Sequence, residues 1–364
     1  MSTVKGWPPA ALRYSDDRPY ELEMAPPLPR LDIAYETWGR LSATRDNAVL
    51  ICPAFSAHCH AASSEKDPAP GWWEGMIGPG AVFDTDHFFV ICPSLIGGSF
   101  GTTGPLSIDP TTGAPYRGRF PIITVRDIVG GHIRLLDHLG IDQVHTAAGG
   151  SLGAMETVEL AIRHPGRARR IIAASGTDAT RPYTAAIRHL GRRAITLDPA
   201  WQGGEYETSG PRDGLRLARE LGTLFYRSQG EFNKRFPWTP IHPPSRNGIT
   251  FDVQSYLDHQ GKKAADRFDA NSYLTLSLAM DLHDVWRGHA DKATALAPVD
   301  AEFLVIGVNQ DRLIAVDEQE GTHLQLVEAG KTSTYRVIDS PIGHDAFLVE
   351  FDTMSEIIRP FLYG

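Results

Sequence analysis

The sequence predicts an α/β fold in which a mostly parallel sheet carries helices on both faces. Short apolar runs bounded by turn residues recur along the 364-residue chain, and such runs are typical of strands that are buried on both sides. Helical patterns lie between several of these runs, and this alternation indicates a parallel sheet. The alternation breaks once, which indicates one core with a helical insertion rather than two independent folds.

The predicted strands follow the apolar runs in chain order. They cover residues 47–53, 87–93, 143–150, 168–176, 302–308 and 334–340. Two amphipathic helices lie between strands, one at 124–141 with Gly140 as its C-cap and one at 151–165 that ends at a proline. These elements predict a core domain formed by residues 1–177 and 298–364.

The intervening segment, 178–297, shows helical patterns and no clear strand run. Pro- and Gly-rich connectors separate these patterns, which cover residues 183–195, 214–227, 253–268 and 273–285. Open α/β sheets bind their ligands outside the carboxyl ends of the strands. We therefore expect this segment to form an inserted helical lid over that edge of the sheet.

Charge and composition exclude several classes of protein. The net charge of -9 and the pI near 5.9 argue against nucleic-acid binding, which requires clustered Lys and Arg on a basic background. The three cysteines show no C-x-x-C spacing, so we expect neither a disulfide framework nor a metal site. No run approaches the ~18 apolar residues of a membrane span, and the first residues lack the apolar region of a signal peptide. The sequence therefore predicts a cytoplasmic protein without a membrane partner.

A serine lies between glycines in the stretch GGSLG at 149–153. A strand, then G-x-S-x-G, then a helix is the context of a nucleophile elbow, in which the glycines permit a strained turn that raises the serine hydroxyl above the sheet. Ordinary turns are also rich in Gly and Ser, so Ser151 could be only a small residue in a tight turn. The flanking strand and helix favour the nucleophile.

Two residues that follow late strands complete a candidate catalytic triad with Ser151. A serine hydroxyl needs a base, usually a histidine that a carboxylate holds in its tautomer. Asp311 and His344 each come just after a predicted strand, in the chain order Ser, acid, His that accompanies a nucleophile elbow. Asp311 could instead be a turn former, and nearby Asp317 is a weaker acid candidate because its stretch is typical of a helix start. The positions of Asp311 and His344 favour the triad.

Acyl transfer also requires donors that stabilise the tetrahedral oxyanion. They are normally the backbone N–H after the nucleophile and one from the loop that follows an early strand. Leu152 would supply the first donor. The second would come from the loop PAFSA at 53–57, from Ser56 or a neighbour. A simple loop is the alternative interpretation of that stretch.

The motifs of this chain resemble those of a known family. The matching segments are YETWGRL (35–41), GWWEGMIGPG (71–80), FDTDHFFVIC (83–92), GTTGPLSIDPTTGAPY (101–116), FPIITVRDIV (120–129), GGSLGAME (149–156), LFYRS (224–228) and DSPIGHDAFLVE (339–350). They occur in order over nearly the whole chain, and the combination is more specific than any one motif. The chain resembles the homoserine O-acetyltransferase group of the α/β-hydrolase superfamily, which includes serine O-acyltransferases.

The resemblance implies a ping-pong acyltransferase. Ser151 would take an acyl group from acetyl-CoA or succinyl-CoA, a co-substrate rather than a bound cofactor, and the hydroxyl of an amino acid would then attack the acyl-enzyme. The family's triad acid and base correspond to Asp311 and His344. By motif, Arg227 matches the arginine that binds the substrate α-carboxylate, and Asp345 matches the acid that holds the α-ammonium. Family members are commonly homodimers built through the helical insertion, so the resemblance also implies a homodimer.

Several alternatives stay open within this resemblance. Homoserine and serine differ by one methylene, which a pocket separates by only about 1–3 kcal/mol. We expect homoserine O-acetyltransferase activity, with serine O-acetyl- or O-succinyltransferase activity as the alternative, in methionine or cysteine biosynthesis. An esterase with the same triad and a non-catalytic binding protein are further alternatives. Two loops depart from the family pattern, because PAFSA stands in place of H-A-L-T-G and QDRLIAV in place of D-x-L-F-P.

Overall fold

A computed structural model describes residues 8–207, 210–241, 246 and 248–364 of the chain, so part of the stretch considered for a signal peptide lies outside the described residues. The described strands are β1 (Leu12–Asp16), β2 (Leu31–Trp38), β3 (Ala48–Cys52), β4 (Ile77–Gly78), β5 (Phe83–Asp84), β6 (Phe89–Pro93), β7 (Val144–Gly150), β8 (Ala168–Ala174), β9 (Glu302–Val308) and β10 (Ser333–Ile338). Eight of them form one sheet in the order β1-β2-β6-β3-β7-β8-β9-β10, while β4 pairs with β5. In the large sheet β2 runs antiparallel to β1 and to β6, and all other neighbours are parallel.

Helices follow most strands of the parallel part. They are α1 (Val125–His138), α2 (Leu152–Arg163), α3 (Pro182–Leu197), α4 (Arg212–Tyr226), α5 (Gln229–Arg235), α6 (Asp252–Arg267), α7 (Ala270–Asp281), α8 (Lys292–Leu296), α9 (Val316–Glu328) and α10 (Phe351–Tyr363). Within the described part of the chain, no helix combines the length and the apolar character needed to cross a bilayer.

The predicted fold class is confirmed, and each of the six predicted strands is present with ends that differ from the prediction by at most two residues. The prediction missed β1 and β2. β1 lies at the edge of the sheet, and three of its five residues are exposed. Its sequence LRYSD is therefore too polar to form an apolar run, and in β2 the acids Asp32 and Glu36 interrupt the run.

Apolar side chains pack on both faces of the sheet. Leu50 of β3 and Ala147 of β7 belong to a cluster with the apolar faces of α1 and α2, whereas their neighbours Val49 and Ala148 belong to a second cluster with α10. All four side chains are fully buried. Successive side chains of a strand point to opposite faces, so a strand buried on both faces needs apolar residues on both, as the sequence AVLIC of β3 shows.

The described residues between β8 and β9 form α3 to α8 and contribute no strand to the sheet. α4 packs on α3 and α6, and α3 also packs on α7. These helices have an apolar cluster of their own, formed by Ile195, Leu215, Ala218, Ala265, Ala270 and Tyr273. The division into a core of 1–177 with 298–364 and a lid of 178–297 stays a prediction.

Candidate active site

The turn between β7 and α2 has the geometry of a nucleophile elbow. Ser151 has φ +58° and ψ -118°, a conformation that is costly for a residue other than glycine. A Cβ on Gly149 would lie 2.5 Å from the carbonyl carbon of Gly153, and a Cβ on Gly153 would lie 2.1 Å from the carbonyl oxygen of Cys52. Close backbone contacts on both sides of the serine therefore require the two outer glycines of the motif.

The structure brings Ser151, His344 and Asp311 into one hydrogen-bonded row. His344 Nε2 lies 2.8 Å from Ser151 Oγ, and His344 Nδ1 lies 2.6 Å from Asp311 Oδ2. All three residues are buried. Gly343, with φ +94°, precedes His344 and turns the loop after β10 toward the serine. A hydroxyl, an imidazole and a carboxylate in this order can activate the hydroxyl as a nucleophile.

The two carboxylate oxygens of Asp311 have different hydrogen-bond partners. Oδ1 accepts the backbone N–H groups of Leu313 at 2.8 Å and Ile314 at 2.9 Å, which is the role of a turn former. Oδ2 accepts His344 Nδ1 and also Gln319 Nε2 at 2.9 Å. Asp311 is therefore a turn former, and the turn orients the oxygen that meets the imidazole; its role as the catalytic acid stays a prediction that this geometry supports.

Burial and neighbouring charges change the pKa of His344. Burial disfavours the imidazolium, but the charge of Asp311 and its hydrogen bond outweigh burial, so the pKa of His344 is raised above its ordinary value. The charge of Asp345 acts in the same direction, and Arg188 opposes it. A more basic imidazole is a better acceptor for the serine proton.

The two predicted oxyanion donors lie on either side of Ser151. Leu152 is the first residue of α2, so its backbone N–H has no intrahelical acceptor. Ser56 lies on the loop after β3 and lines the same cavity as Ser151, together with Ala54 and Phe55. Ser56 itself is exposed. The role of Ser56 stays a prediction.

A cavity of about 100 Å³ is lined by Ser151 and His344. The core supplies one side of it through the loops that carry these two residues. Helices α3, α4 and α7 supply the other side, with the side chains of Ile187, Arg188, Arg219, Tyr226, Tyr273 and Met280. The reacting serine is therefore enclosed between the core and the helical segment.

Two arginines of this cavity were not singled out from the sequence. Arg188 donates through Nε to Asp281 Oδ1 at 2.6 Å and through Nη2 to Thr180 Oγ1 at 2.9 Å. Its Nη1 is buried and has no hydrogen-bond partner among the described residues. The guanidinium of Arg219 lies over the ring of Tyr226 at 5.2 Å from its centroid. The cavity therefore contains two cations that could bind carboxylates.

The two residues predicted to bind the substrate differ in position. Asp345 lines the cavity, whereas Arg227 is not among the described residues that line it. Arg227 follows the last residue of α4, and its Nε lies 3.2 Å from Asp345 Oδ2. Burial raises the pKa of Asp345, and the charges of Arg227 and Arg219 oppose this rise. The geometry favours a role for Arg227 behind Asp345 over direct contact with a substrate carboxylate.

One buried group in the described part of the chain combines side chains that can ligate a metal. Cys52, His132 and Glu156 each place a ligand atom within 4.8 Å of the others. His132 Nε2, however, lies 2.8 Å from Glu156 Oε2, and burial raises the pKa of both Glu156 and the Cys52 thiol. A hydrogen-bonded acid and imidazole beside a protonated thiol account for this group without a metal.

The parallel sheet, the serine elbow after β7, and an acid and a histidine after the last two strands are the features of the α/β-hydrolase class. The family described as the alpha/beta hydrolase fold matches residues 47–351. Two relatives indicate a smaller group within this class. The chain is 45% identical over 342 residues to a serine O-succinyltransferase from Litchfieldella anticariensis, across 92% of this chain and 93% of that protein. It is 41% identical over 346 residues to a homoserine O-acetyltransferase from Moorella thermoacetica, across 94% of this chain and 92% of that protein.

The chain belongs to the α/β hydrolase fold family and, within it, to the group that contains these homoserine O-acetyltransferases and serine O-succinyltransferases. The resemblance inferred from the sequence is thus confirmed. Solved structures share the fold over the whole chain. Homoserine O-acetyltransferase from Bacillus anthracis has a TM-score of 0.90 at 29% identity, covering 97% of each chain. Esterase E22 has a TM-score of 0.89 at 28% identity, covering 97% of this chain and 99% of the other.

Proposed function

We propose that this protein is an amino-acid O-acyltransferase that moves an acetyl group from acetyl-CoA to the side-chain hydroxyl of L-homoserine. The observation that carries the proposal is the hydrogen-bonded row of Ser151, His344 and Asp311 inside a cavity that also holds Asp345 and Arg219. The row can form an acyl-enzyme, and the two charged groups can hold an amino acid beside it.

The reaction has two halves in which the same groups act twice. In the first half His344 takes the proton of Ser151 while Oγ attacks the thioester carbonyl carbon, the carbon–sulfur bond breaks, and His344 returns the proton to the CoA thiolate. In the second half His344 takes the proton of the amino-acid hydroxyl, whose oxygen attacks the same carbon, and Ser151 leaves with the proton. The backbone N–H of Leu152, with a donor from the loop 54–56, stabilises the oxyanion in both halves.

The amino acid is held by groups from both sides of the cavity. Asp345, next to His344, binds the α-ammonium, and the planar guanidinium of Arg219 is suited to the α-carboxylate. Arg227 pairs with Asp345 at 3.2 Å, and its charge opposes the rise that burial causes in the pKa of that carboxyl group. This assignment retains the predicted role of Asp345 and moves carboxylate binding from Arg227 to Arg219.

The direct test is a comparison of four reactions. The protein is incubated with acetyl-CoA or succinyl-CoA and with L-homoserine or L-serine, and the released CoA is measured together with the mass of the amino-acid product. We expect CoA release that depends on the amino acid and gives an O-acyl product. Absence of release in all four reactions would refute the proposal.

Serine succinylation is a second candidate, and the position of Arg188 favours it. A buried guanidinium N–H without a partner costs free energy unless a ligand supplies an acceptor. The terminal carboxylate of a succinyl group would supply one to Arg188, a residue that lines the cavity containing Ser151 and whose buried Nη1 has no acceptor among the described residues. A higher kcat/KM for succinyl-CoA with serine than for acetyl-CoA with homoserine would establish this candidate.

Hydrolysis of an ester by the same triad is the competing reaction, since esterase E22 has the same fold. A transferase must keep water from its acyl-enzyme, and Ser151 is only 6% exposed within a small cavity. With p-nitrophenyl acetate as the acyl donor, we expect nitrophenol release to accelerate when homoserine or serine is added. A fast release that no amino acid accelerates would favour the esterase.

We also propose a cytoplasmic homodimer formed through α3 and α4. Large apolar side chains on these helices are 43% to 67% exposed and recur at seven-residue spacing: Tyr183, Leu190 and Leu197 on α3, and Leu217 and Leu224 on α4. This spacing places each set along one side of its helix, and a contiguous exposed apolar surface marks an interface. We expect a dimer in sedimentation at micromolar protein and a monomer after the double substitution Leu190→Glu with Leu217→Glu. A monomeric unaltered protein would contradict this proposal.

A further inference from the structure

A second cleft, of about 500 Å³, adjoins the cavity that contains Ser151. The two share a wall formed by Phe55, Ser56, Arg219 and Tyr273. A molecule whose reacting end lies at Ser151, and whose body is too long for the inner cavity, would therefore extend past this wall into the second cleft. An acyl-CoA is such a molecule.

Helix α6 presents two cations to this cleft. Gln260, Lys263, Ala264 and Arg267 line it, and their spacing places them on one face of the helix. Within the described part of the chain, neither Lys263 nor Arg267 has an acidic partner. The adjacent Lys262 is different, because its Nζ lies 2.6 Å from Asp258 Oδ2 and it does not line the cleft.

Among the described residues, the acid in the lining of this cleft has its contacts in the core rather than with these cations. Asp67 is buried, its Oδ1 accepts the backbone N–H of Ala69 at 3.1 Å, and its Oδ2 lies 3.8 Å from His60 Nδ1. Trp72 and Phe100 add aromatic surface to the lining. The cleft therefore combines unpaired positive charge on α6 with an apolar surface from the core.

The geometry points to this cleft as the site that binds the phosphorylated nucleotide end of the acyl-CoA donor, with Lys263 and Arg267 in contact with its phosphates. In a chain of net charge -9, Lys263 and Arg267 are cations that form no ion pair within the described residues, because the adjacent Asp266 pairs with Arg212, and such cations attract an anion. CoA carries its acyl group at one end of a flexible arm and its phosphates at the other. This inference rests on the proposed function, because the acyl end must lie at Ser151.

The test compares two donors that differ only in the nucleotide. Initial rates are measured with acyl-CoA and with the matching acyl-pantetheine, which lacks the nucleotide phosphates, for the unaltered protein, the double variant Lys263→Ala with Arg267→Ala, and Lys262→Ala as the matched control. We expect the double variant to raise the KM for acyl-CoA about tenfold, since each exposed charge contact contributes up to a fewfold in affinity. The KM for acyl-pantetheine and the rate with p-nitrophenyl acetate stay unchanged, and Lys262→Ala changes neither KM.

The unaltered protein gives a second measurement of the same contact. Added salt should raise its KM for acyl-CoA more than its KM for acyl-pantetheine, and the double variant should lose this difference. Equal effects on both donors, or no effect on either, would overturn the phosphate site while leaving acyl transfer intact. Absence of turnover with every donor in the unaltered protein would instead overturn the proposed function.

Discussion

The core and the helical segment contribute to the candidate site in different ways. In the core, Ser151, Asp311 and His344 lie in the connections that follow β7, β9 and β10 of one sheet, so the sheet brings these connections together at one edge. In the helical segment, Arg188 and Arg219 lie in the middle of helices, and their positions depend on how α3, α4 and α7 pack. Under the proposed function, the core holds the reacting groups together with Asp345, and the helices add Arg188 and Arg219 as charges that influence the choice of acyl donor and acceptor. Substitutions in the core should therefore abolish the reaction, whereas substitutions in the helices should change its preferences.

The largest expected effect is that of Ser151→Ala. Without the hydroxyl no acyl-enzyme can form, and kcat should fall by about 10⁴-fold or more. Mass spectrometry after exposure to acyl-CoA should show one acyl group on the unaltered protein and none on the variant. An acyl adduct on the variant would show that a residue other than Ser151 is the nucleophile, which would contradict the proposed role of the core.

A matched control for this substitution is Ser175→Ala. Ser175 also follows a strand, is fully buried and has a positive φ of 52°, and its hydroxyl has no hydrogen-bond partner among the described residues. The two serines thus share a positive φ and burial and differ in contact with His344. We expect Ser175→Ala to retain activity within about twofold, because it removes a buried hydroxyl that is not bonded.

The next effect in size is that of Asp311→Asn. The asparagine oxygen can still accept the turn N–H groups, but its amide would donate to His344 Nδ1 and force the ring proton onto Nε2, which faces Ser151. A base protonated at that nitrogen cannot take the serine proton, so kcat should fall by about 10³ to 10⁴-fold with the fold unchanged. Asp317→Asn, at the weaker acid candidate on α9, should have little effect. Equal losses in the two variants would remove Asp311 from the triad.

The sequence was sufficient to predict the parts of the fold that follow from local rules. Apolar runs revealed the strands that are buried on both faces, and the order of strand, glycine-flanked serine and helix located Ser151. Asp311 and His344 could be placed because the carboxyl ends of parallel strands meet at one edge of the sheet. The strands β1 and β2 were missed because a partly exposed edge strand is polar and because β2 carries two acids, the partly exposed Asp32 and the buried Glu36, so neither strand forms an apolar run.

The cations of the cavity could not be predicted in the same way. A helical residue faces a cavity only through the packing of its helix on others, and no local rule gives that packing. One signal was present in α3, where Arg188 falls among Thr184, Ile187, Gly191 and Ile195 on the buried face of the helix. A cation at such a position needs a partner inside the protein or a ligand. Arg227 was predicted at the C-terminal end of a helical pattern, and it does follow the last residue of α4. Its guanidinium, however, pairs with Asp345.

A smaller effect is expected from Arg188→Leu, which tests whether the helical segment determines the preference for the acyl donor. If Arg188 Nη1 binds the terminal carboxylate of a succinyl group, kcat/KM for succinyl-CoA should fall by about 10- to 100-fold, and that for acetyl-CoA should fall much less. Arg192→Leu is the control, because Arg192 also pairs with Asp281, at 2.5 Å, and is not among the described residues that line the cavity. Equal losses with both donors in Arg188→Leu would show that Arg188 supports the fold rather than donor choice.

The smallest expected effect is a shift in the pH dependence of acyl-enzyme formation. We expect opposite directions of shift for a substitution in the core and for one in the helical segment. Only neutral His344 can take the serine proton, so the rate of acyl-enzyme formation should fall as the pH drops through the pKa of His344. Because Asp311 raises that pKa in spite of burial, the acid limb of the unaltered protein should lie above the ordinary histidine value of about 6.5.

Asp311→Asn removes the main cause of the rise and leaves burial, so the limb of its residual activity should move to lower pH. Arg188→Leu removes a cation that lowers the pKa, so its limb should move to higher pH. Measuring the burst of CoA release without an amino acid keeps the titration of the acceptor out of the profile, and shifts in the same direction for both variants would contradict this account of His344.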